Sequence, residues 1–599
     1  MHITLISPPI ARACEPLLGI ATLKAFLGQH GVSCDCIDAN AEAQEWLLQV
    51  DRLDPMIERL ERSPDAPEPL RRRAKSWRAL RRRLDRMKRQ LRSWEGYTNA
   101  DRYRTTVTGL NRVVQLAGAA WDLEAGAPIS ATLSNYEDAR TCDMDASSVA
   151  ETARDPSRNL FYLWFRDQLL PRLEATKPDI VGLSFIFRSQ LLGGLALATM
   201  IRERLPETRV VLGGELVSAW VPVLEQTELI DLADAIIPYE GELALLELAR
   251  ALEANPKRPA LSKVPNLIWR DRDTGEVHRN PTRKVQRLGE VPAPDYSDMP
   301  WDLYFAPVRT APMVTARGCY WNRCTFCPEV VNPETLLRIA PADRILEDID
   351  ALYEQWGVTH VHFIDSALPP RTIKDLARQI AASDRPTTWY GFSRLERTFL
   401  RPGVAELLAA GGCRMLKLGL ETGSQRLLDA MDKRQDLGDV SGILKALRDA
   451  GVMVHAFLMF GTPFEGREDA LLTQRFVADH ADCIQFVNCS LMNLAHGSPM
   501  ALEPEAHGIR EVIPFEIEGR TLDLALYSNF VGEGWSRVEA RRFLHGSFLK
   551  DPRVRPLHLR TPALFDSNHS SFFHQVVFPG WSRPTRRRQG AATVSVSAP

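Results

Sequence analysis

Apolar positions in this chain fall in short runs that alternate with stretches of helical spacing, and the alternation occurs twice. Residues 2–9 read as a strand ending in Pro8-Pro9, residues 17–27 carry helical periodicity stopped by Gly31, and residues 32–37 read as a second strand closing at Asp38. The pattern resumes far downstream. A strand is predicted over 178–184, a helix over 191–205, and a strand over 209–215 containing Gly213-Gly214. The apolar run Ala235-Ile236-Ile237 then leads into Pro238-Tyr239-Glu240-Gly241-Glu242. Such alternation predicts an α/β protein with a doubly wound parallel sheet, which takes ligands beyond the carboxyl ends of its strands. Gly213-Gly214 lies at that edge, where it permits close approach of a large ligand or simply forms a tight turn. The first domain is predicted over 1–285, with a helical insertion at about 45–165.

The insertion differs in character. Trp77, Leu80, Leu84, Met87, Leu91 and Trp94 recur at spacings of three and four, an apolar stripe on a predicted helix. Residues 71–92 hold twelve Lys and Arg against Asp85 alone. That density reads as the solvated face of a packed helix, or as a dock for an acidic precursor peptide or carrier protein. Residues 125–158, rich in Ala, Ser, Asp and Thr, read as a mobile loop.

Residues 286–300 read as a linker, and from 301 to 500 βα units recur. Strands are predicted over 313–316, 360–364, 388–392, 415–420, 453–460 and 484–491, with helices such as 341–356 and 425–431 between them. Six units predict a barrel-like parallel array with its functional residues at the strand carboxyl ends. Beyond 500 the rhythm is lost. A helix is predicted over 535–544, His569 sits in a polar–aromatic cluster and reads as a structural hydrogen-bonder, and 583–588 is basic. Residues 589–599 read as disordered.

Composition narrows the classes. With 45% hydrophobic and 25% charged residues the chain is an ordinary soluble globular protein, and a net charge of -2 gives no whole-chain argument for nucleic acid. The first residues lack the basic region and apolar core of a signal peptide, and no uncharged apolar run approaches the ~20 residues that span a bilayer. Ten cysteines, three of them clustered, read as a reducing compartment and a metal site. The expectation is a cytoplasmic protein without membrane or nucleic-acid partners.

The clustered three are Cys319, Cys324 and Cys327, in Arg317-Gly318-Cys319-Tyr320-Trp321-Asn322-Arg323-Cys324-Thr325-Phe326-Cys327, directly after an apolar run. Soft sulfur ligands suit an iron–sulfur cluster or zinc. Structural zinc asks for four ligands, and Cys413, Cys483 and Cys489 are dispersed rather than gathered into a second knuckle. A cluster on three thiolates keeps one iron open to a substrate or cofactor.

This loop, including Phe326 between the last two cysteines, resembles the cluster loop of radical S-adenosylmethionine (SAM) enzymes. The C-x4-C spacing from Cys319 to Cys324 is one residue wider than that family's usual C-x3-C. The resemblance implies a [4Fe–4S] cluster on Cys319, Cys324 and Cys327 and a partial (β/α)6 barrel, with Phe326 near the adenine of SAM. It further implies SAM contacts from Glu421 and Ser424 in Gly419-Leu420-Glu421-Thr422-Gly423-Ser424, from Arg394, and from the turn at Gly461. Asp365-Ser366 stands where the family has Gly-Gly-Glu and departs from it. On residues alone, Glu421 has a plainer second reading as the cap of the helix beginning near Ser424, and Gly461-Thr462-Pro463 reads equally as a plain turn.

The upstream strands and turns resemble the Rossmann-like cobalamin-binding domain that precedes the barrel in one branch of these enzymes. Ser7-Pro8-Pro9, Ser184, Gly213-Gly214 and Glu240-Gly241-Glu242 stand where that branch has recurring loops. The resemblance places Ser184, Gly213 and Gly214 against cobalamin, and leaves the axial ligand open because D-x-H-x-x-G is absent. It implies methylation of an unactivated carbon of a natural-product or peptide substrate through methylcobalamin and a 5′-deoxyadenosyl radical, with an external electron donor. Radical rearrangement, ring contraction or cyclisation on the same fold is the alternative. A non-catalytic cofactor-binding regulator is the rival from another class.

Overall fold

The computed structural model describes residues 1–121, 123, 129–330, 336–383 and 386–580. The chain divides into two compact units: residues 1–96, 101–307 and 514–528 form the first, and residues 97–100, 308–513 and 529–599 the second. Among the described residues, no helix is long and apolar enough to cross a membrane.

The first unit is built on β1 (His2–Ile6), α1 (Leu18–Gln29), β2 (Ser33–Ile37), β3 (Ile180–Ser184), α2 (Leu191–Arg204), β4 (Arg209–Gly213), β5 (Ala235–Ile237) and α3 (Glu242–Ala254). β6 (Ile268–Arg270) and β7 (Val277–Arg279) follow. The sheet order is β2-β1-β3-β4-β5-β6-β7; the first five strands are parallel and the last two antiparallel. Ile3, Ile180, Val181 and Ile236 are fully buried, as the two-sided apolar strands predict. The helical crossover between β1 and β2 is short, whereas that from β2 to β3 contains the whole insertion, so β1 sits between strands adjacent and remote in sequence.

The insertion departs from prediction in detail. Its basic stretch is three short helices, Glu68–Ala74, Trp77–Arg81 and Leu84–Leu91, rather than one. At the first break Ser76 donates its hydroxyl to the Arg73 carbonyl at 2.6 Å, a local bond that competes with the helix ladder. The stripe of Trp77, Leu80, Leu84, Met87 and Leu91 is buried, while Trp94 is 49% exposed. Within the predicted loop over 125–158, the described residues form a hairpin (Ile129–Ala131, Tyr136–Asp138) and the helix Ala146–Ala153. Asp145 caps that helix through the Ser148 N–H, and Arg140 and Arg158 both bond the buried Asp138. Near the predicted linker, Tyr296 is buried and Asp298 accepts from Lys24 Nζ and the Cys36 N–H.

The second unit contains six parallel strands in sequential order: β8 (Thr310–Met313), β9 (His360–Phe363), β10 (Thr388–Ser393), β11 (Cys413–Glu421), β12 (Met453–Phe460) and β13 (Phe486–Leu491). Helices α4 (Ala342–Trp356), α5 (Pro370–Ala382), α6 (Val404–Ala410), α7 (Gln425–Ala430), α8 (Leu437–Asp449) and α9 (Arg467–Asp479) lie between them. This is the predicted partial (β/α)6 array, its first and last strands unpaired with each other.

The segment over 561–574 runs beneath the amino ends of β9, β12 and β13. Thr561 exchanges hydrogen bonds with both backbone groups of Val487, Asn488 donates to Asp566 at 2.8 Å, His360 meets Ser571 at 3.0 Å and His574 meets the Gly451 carbonyl at 2.8 Å. His569 is buried and stacks on Phe565. Above this floor, Lys417 is buried with its Nζ 2.7 Å from His362 Nε2 and 4.1 Å from the Phe392 ring centroid. The basic run over 583–588 and the tail over 589–599 lie outside the described residues.

Candidate active site

The cluster loop leaves β8 through a clamp. Asp365, at the end of β9, accepts from the Thr315 N–H at 3.0 Å, the Thr315 hydroxyl at 2.7 Å and the Ala316 N–H at 2.7 Å. Burial pushes its carboxyl up to about 6 even against the opposing pull of these donors. Asp365 is thus taken up by the start of the loop, while its neighbour Ser366 is exposed.

Beyond the clamp, Gly318 (φ +84°) and Asn322 (φ +46°) turn the chain through the left-handed region, and three residues of the wide spacer between Cys319 and Cys324 are tied down by hydrogen bonds. Tyr320 donates to Glu396 at 2.8 Å, Trp321 Nε1 to the Asp432 carbonyl at 2.9 Å, and Arg323 to the Asp432 carboxylate at 3.0 Å. The Thr325 N–H bonds the Met431 carbonyl, and the Met500 N–H bonds the Thr325 carbonyl. Phe326 packs on an apolar cluster that includes Leu428, Met431, Met492 and Met500.

All three cysteines are free and half-buried, and the Cys327 N–H bonds the Cys324 carbonyl at 3.1 Å. Burial raises the Cys324 thiol, against the pull of Lys433 and Arg394, and raises Cys327 to about 11. Among the described residues no three His, Cys, Asp or Glu side chains converge as ligands of a single ion would. A four-iron cluster takes its thiolates on separate irons, so its ligands stand further apart. Three free thiols flanked by buried cations fit such a group, whose core with its thiolates is anionic.

Two cations lie under this loop. Arg394, at the end of β10, is buried; its Nε donates to Glu396 at 2.9 Å, its Nη2 to the Lys433 carbonyl at 2.6 Å and its Nη1 toward Cys324 Sγ at 3.8 Å. Its guanidinium carbon stands 4.0 Å from the Trp321 ring centroid. Lys433 is also buried and donates to Glu421 Oε1 at 2.8 Å. Glu421 takes φ +60° at the end of β11, and its other oxygen has no hydrogen-bond donor among the described residues.

Ser424 is buried and donates to Asp469, which also accepts from Arg426 and the Gly466 N–H, so the Ser424 hydroxyl ties α7 to α9. Gly461 (φ +75°) and Thr462 donate their N–H groups to Glu465, whose carboxyl burial pushes up to about 7. Lys433, Glu396, Asp469 and Glu465 were not predicted. Each sits in a charged or polar stretch that reads as solvated, and only tertiary packing buries or pairs it.

In the first unit, the sheet order reverses between β1 and β3, and in folds of this kind ligands bind beyond the carboxyl ends of the strands at such a switch. Ser184, at the end of β3, and Gly213, at the end of β4, are register partners one strand along from the switch. Gln190, fully buried, links the chain after β1 to the chain after β3: its amide nitrogen donates to the Pro8 carbonyl and its oxygen accepts from the Ile186 and Phe187 N–H groups. Gly214 takes φ +101°, and a Cβ on it would stand 2.4 Å from the Phe185 carbonyl oxygen. The chain's own backbone therefore demands that glycine. Gly213 is less crowded, with its nearest atom at 3.1 Å. The Glu240 carbonyl accepts from Asn266 at the end of the β5 turn.

Residues 313–477 match the Radical SAM superfamily, and this part of the chain is a radical SAM domain. Over 303 residues the chain is 28% identical to an uncharacterized methyltransferase of Pyrococcus horikoshii, covering 50% of this chain and 64% of that protein. It is 24% identical over 339 residues to the cytidylyl-2-hydroxyethylphosphonate methyltransferase of Streptomyces wedmorensis, covering 50% of this chain and 60% of the relative. In fold it is similar to the cobalamin-dependent S-adenosylmethionine radical enzyme OxsB, solved with aqua-cobalamin bound: TM-score 0.50 at 17% identity, over 64% of this chain and 62% of that one. The matched stretch thus spans less than two thirds of the length of each.

Proposed function

We propose that this chain is a cobalamin-dependent radical SAM enzyme that methylates an unactivated carbon of a small-molecule or peptide substrate. The observation that carries the reading is the joint presence of a switch-point parallel sheet and a six-strand array whose first strand empties into the three-thiol loop. The methyltransferase names of the two relatives favour methyl transfer over ring contraction or cyclisation. When bound, a [4Fe–4S] cluster supplies the electron that cleaves SAM, and cobalamin carries the methyl group.

The chain's own residues hold and shield. Cys319, Cys324 and Cys327 ligate the cluster. The second oxygen of Glu421 accepts from a SAM hydroxyl or amino group, with Phe326 and the Gly461 turn beside the nucleoside. Asp365 and Ser424 act one step back: the first fixes the departure of the cluster loop, the second the helix after β11. Ser366 is exposed and open to a ligand. Ser184, Gly213, Gly214 and the Glu240 turn border the cobalamin site. An external donor supplies electrons. Ten free thiols fit the reducing cytoplasm. The exposed cations of the insertion fit an acidic carrier or precursor that presents the substrate.

The test is product stoichiometry in anaerobically reconstituted protein. Each turnover should yield one S-adenosylhomocysteine and one 5′-deoxyadenosine, and methyl-deuterated SAM should deliver three deuterons to product. Replacement of Cys324 by Ala should stop deoxyadenosine formation while cobalamin is retained. Product with deoxyadenosine but without adenosylhomocysteine would replace methyl transfer by ring contraction or cyclisation, and intact SAM throughout would leave a cofactor-binding regulator.

A further inference from the structure

Arg394 reads in the sequence as a fork for the SAM carboxylate, yet its guanidinium already has other work. Nε, Nη1 and Nη2 meet Glu396, Cys324 Sγ and the Lys433 carbonyl, and its face lies on Trp321. Glu396 in turn accepts from Tyr320. One side chain at the end of β10 thereby gathers three residues of the cluster loop: Tyr320 through Glu396, Trp321 by stacking and Cys324 by its sulfur.

We propose that Arg394 is the positioning residue of the cluster, holding Cys324 Sγ and setting the cluster's reduction potential through that contact. The inference rests on the reading of the loop as a [4Fe–4S] site. An N–H donor and a fixed positive charge beside a thiolate withdraw electron density from its iron, and hydrogen bonds to cluster sulfurs raise the potential. Arginine cannot shed its proton, and burial weakens solvent screening of its field. Stacking on Trp321 and three hydrogen-bond acceptors restrict its rotamers, so that field is fixed in direction.

The experiment is an EPR-monitored potentiometric titration of the reconstituted full chain, with iron and sulfide counted in the same samples. Arg394→Gln should keep its iron and become about tenfold harder to reduce, a fall of about 59 mV for one electron. Arg394→Lys, which keeps the charge but loses the fork, should fall between the two. An Arg394→Gln protein with full iron and an unchanged midpoint overturns the proposal, because a purely structural arginine would alter thermal stability and not the potential. If the Gln variant takes up no iron, the Lys variant decides by the same titration, and an unchanged midpoint there overturns it. Wild-type protein that takes up no iron at all removes the cluster reading itself, a failure distinct from an unshifted potential.

Discussion

Lys433 Nζ lies 2.8 Å from Glu421 Oε1, with their side chains 6% and 13% exposed. The pair closes the space above Gly419, where a Cβ would stand 2.5 Å from that oxygen and 2.8 Å from the ammonium nitrogen. The last inward turn of β11 is therefore shaped by charge as much as by backbone.

Breaking this pair from one side should be worse than removing it. Glu421→Gln leaves the lysine charge buried without its counterion, which should cost about 3–5 kcal/mol. Combining Glu421→Gln with Lys433→Met should recover most of that loss. Denaturant unfolding of the four proteins of the cycle measures it; additive losses would show that the two side chains are not coupled.

Gly214 and Ser184 should part company when enlarged. Gly214→Leu drives a side chain into the Phe185 carbonyl at a positive φ and should destabilise the first unit whether or not a ligand binds. Ser184→Phe changes only a half-buried strand end, so it should leave the melting temperature near wild type and reduce retained cobalamin about tenfold. Full retention by a folded Ser184→Phe protein would move the corrin elsewhere.

The basic insertion is less free than its sequence implies. Arg71, Arg72, Arg78, Arg81, Lys88 and Arg92 pair with Glu68, Glu61, Asp54, Glu45 or Asp85. Arg73, Lys75, Arg82, Arg83, Arg86 and Arg89 are exposed and carry no carboxylate partner among the described residues. Reversal of Arg82, Arg83, Arg86 and Arg89 to Glu should weaken capture of an acidic carrier by about tenfold at low salt. The difference should shrink toward 1 M salt, where the Debye length is about 3 Å. Equal affinities at low salt would leave only a solvated face.

Glu465 should make stability fall with rising pH. Its folded carboxyl titrates at about 7 against an ordinary 4.5, pushed up by burial, so the folded state binds the extra proton. The stabilisation is complete below the unfolded value and is lost as pH rises through the folded one. Glu465→Gln is neutral throughout. Relative to wild type it should gain on the order of 1–3 kcal/mol at pH 8 over its difference at pH 4.5. Thermal melts across that range check it; parallel curves would show that Glu465 titrates normally.

The two parallel arrays were legible because fully buried strands leave uninterrupted apolar runs, and β12 was predicted to the residue. Ends were less legible. β8 spans 310–313 rather than 313–316, because Thr315 and Ala316 turn to meet Asp365 instead of pairing with β9. The three thiols stand out by spacing alone, since three of the ten cysteines fall within nine residues. Arg394 and Ser424 were visible as residues but not as partners: what an arginine or serine bonds depends on chain far away, here Cys324 and Asp469. The stripe through Trp77 and Leu91 announced a buried face, yet not the breaks between its helices, which rest on local bonds such as that of Ser76.

The brace over 561–574 holds one rim of the barrel from outside its strand ladder. β8 and β13 share no ladder, so the wall is a curved sheet with a free seam, and side chains such as Thr561, Asp566, Ser571 and His574 pin its foot. At the other rim the thiol loop is tied to the chain beyond β13 by the Met500 N–H on the Thr325 carbonyl and by Phe326 against Met492 and Met500, so the loop itself spans the seam that no strand ladder closes.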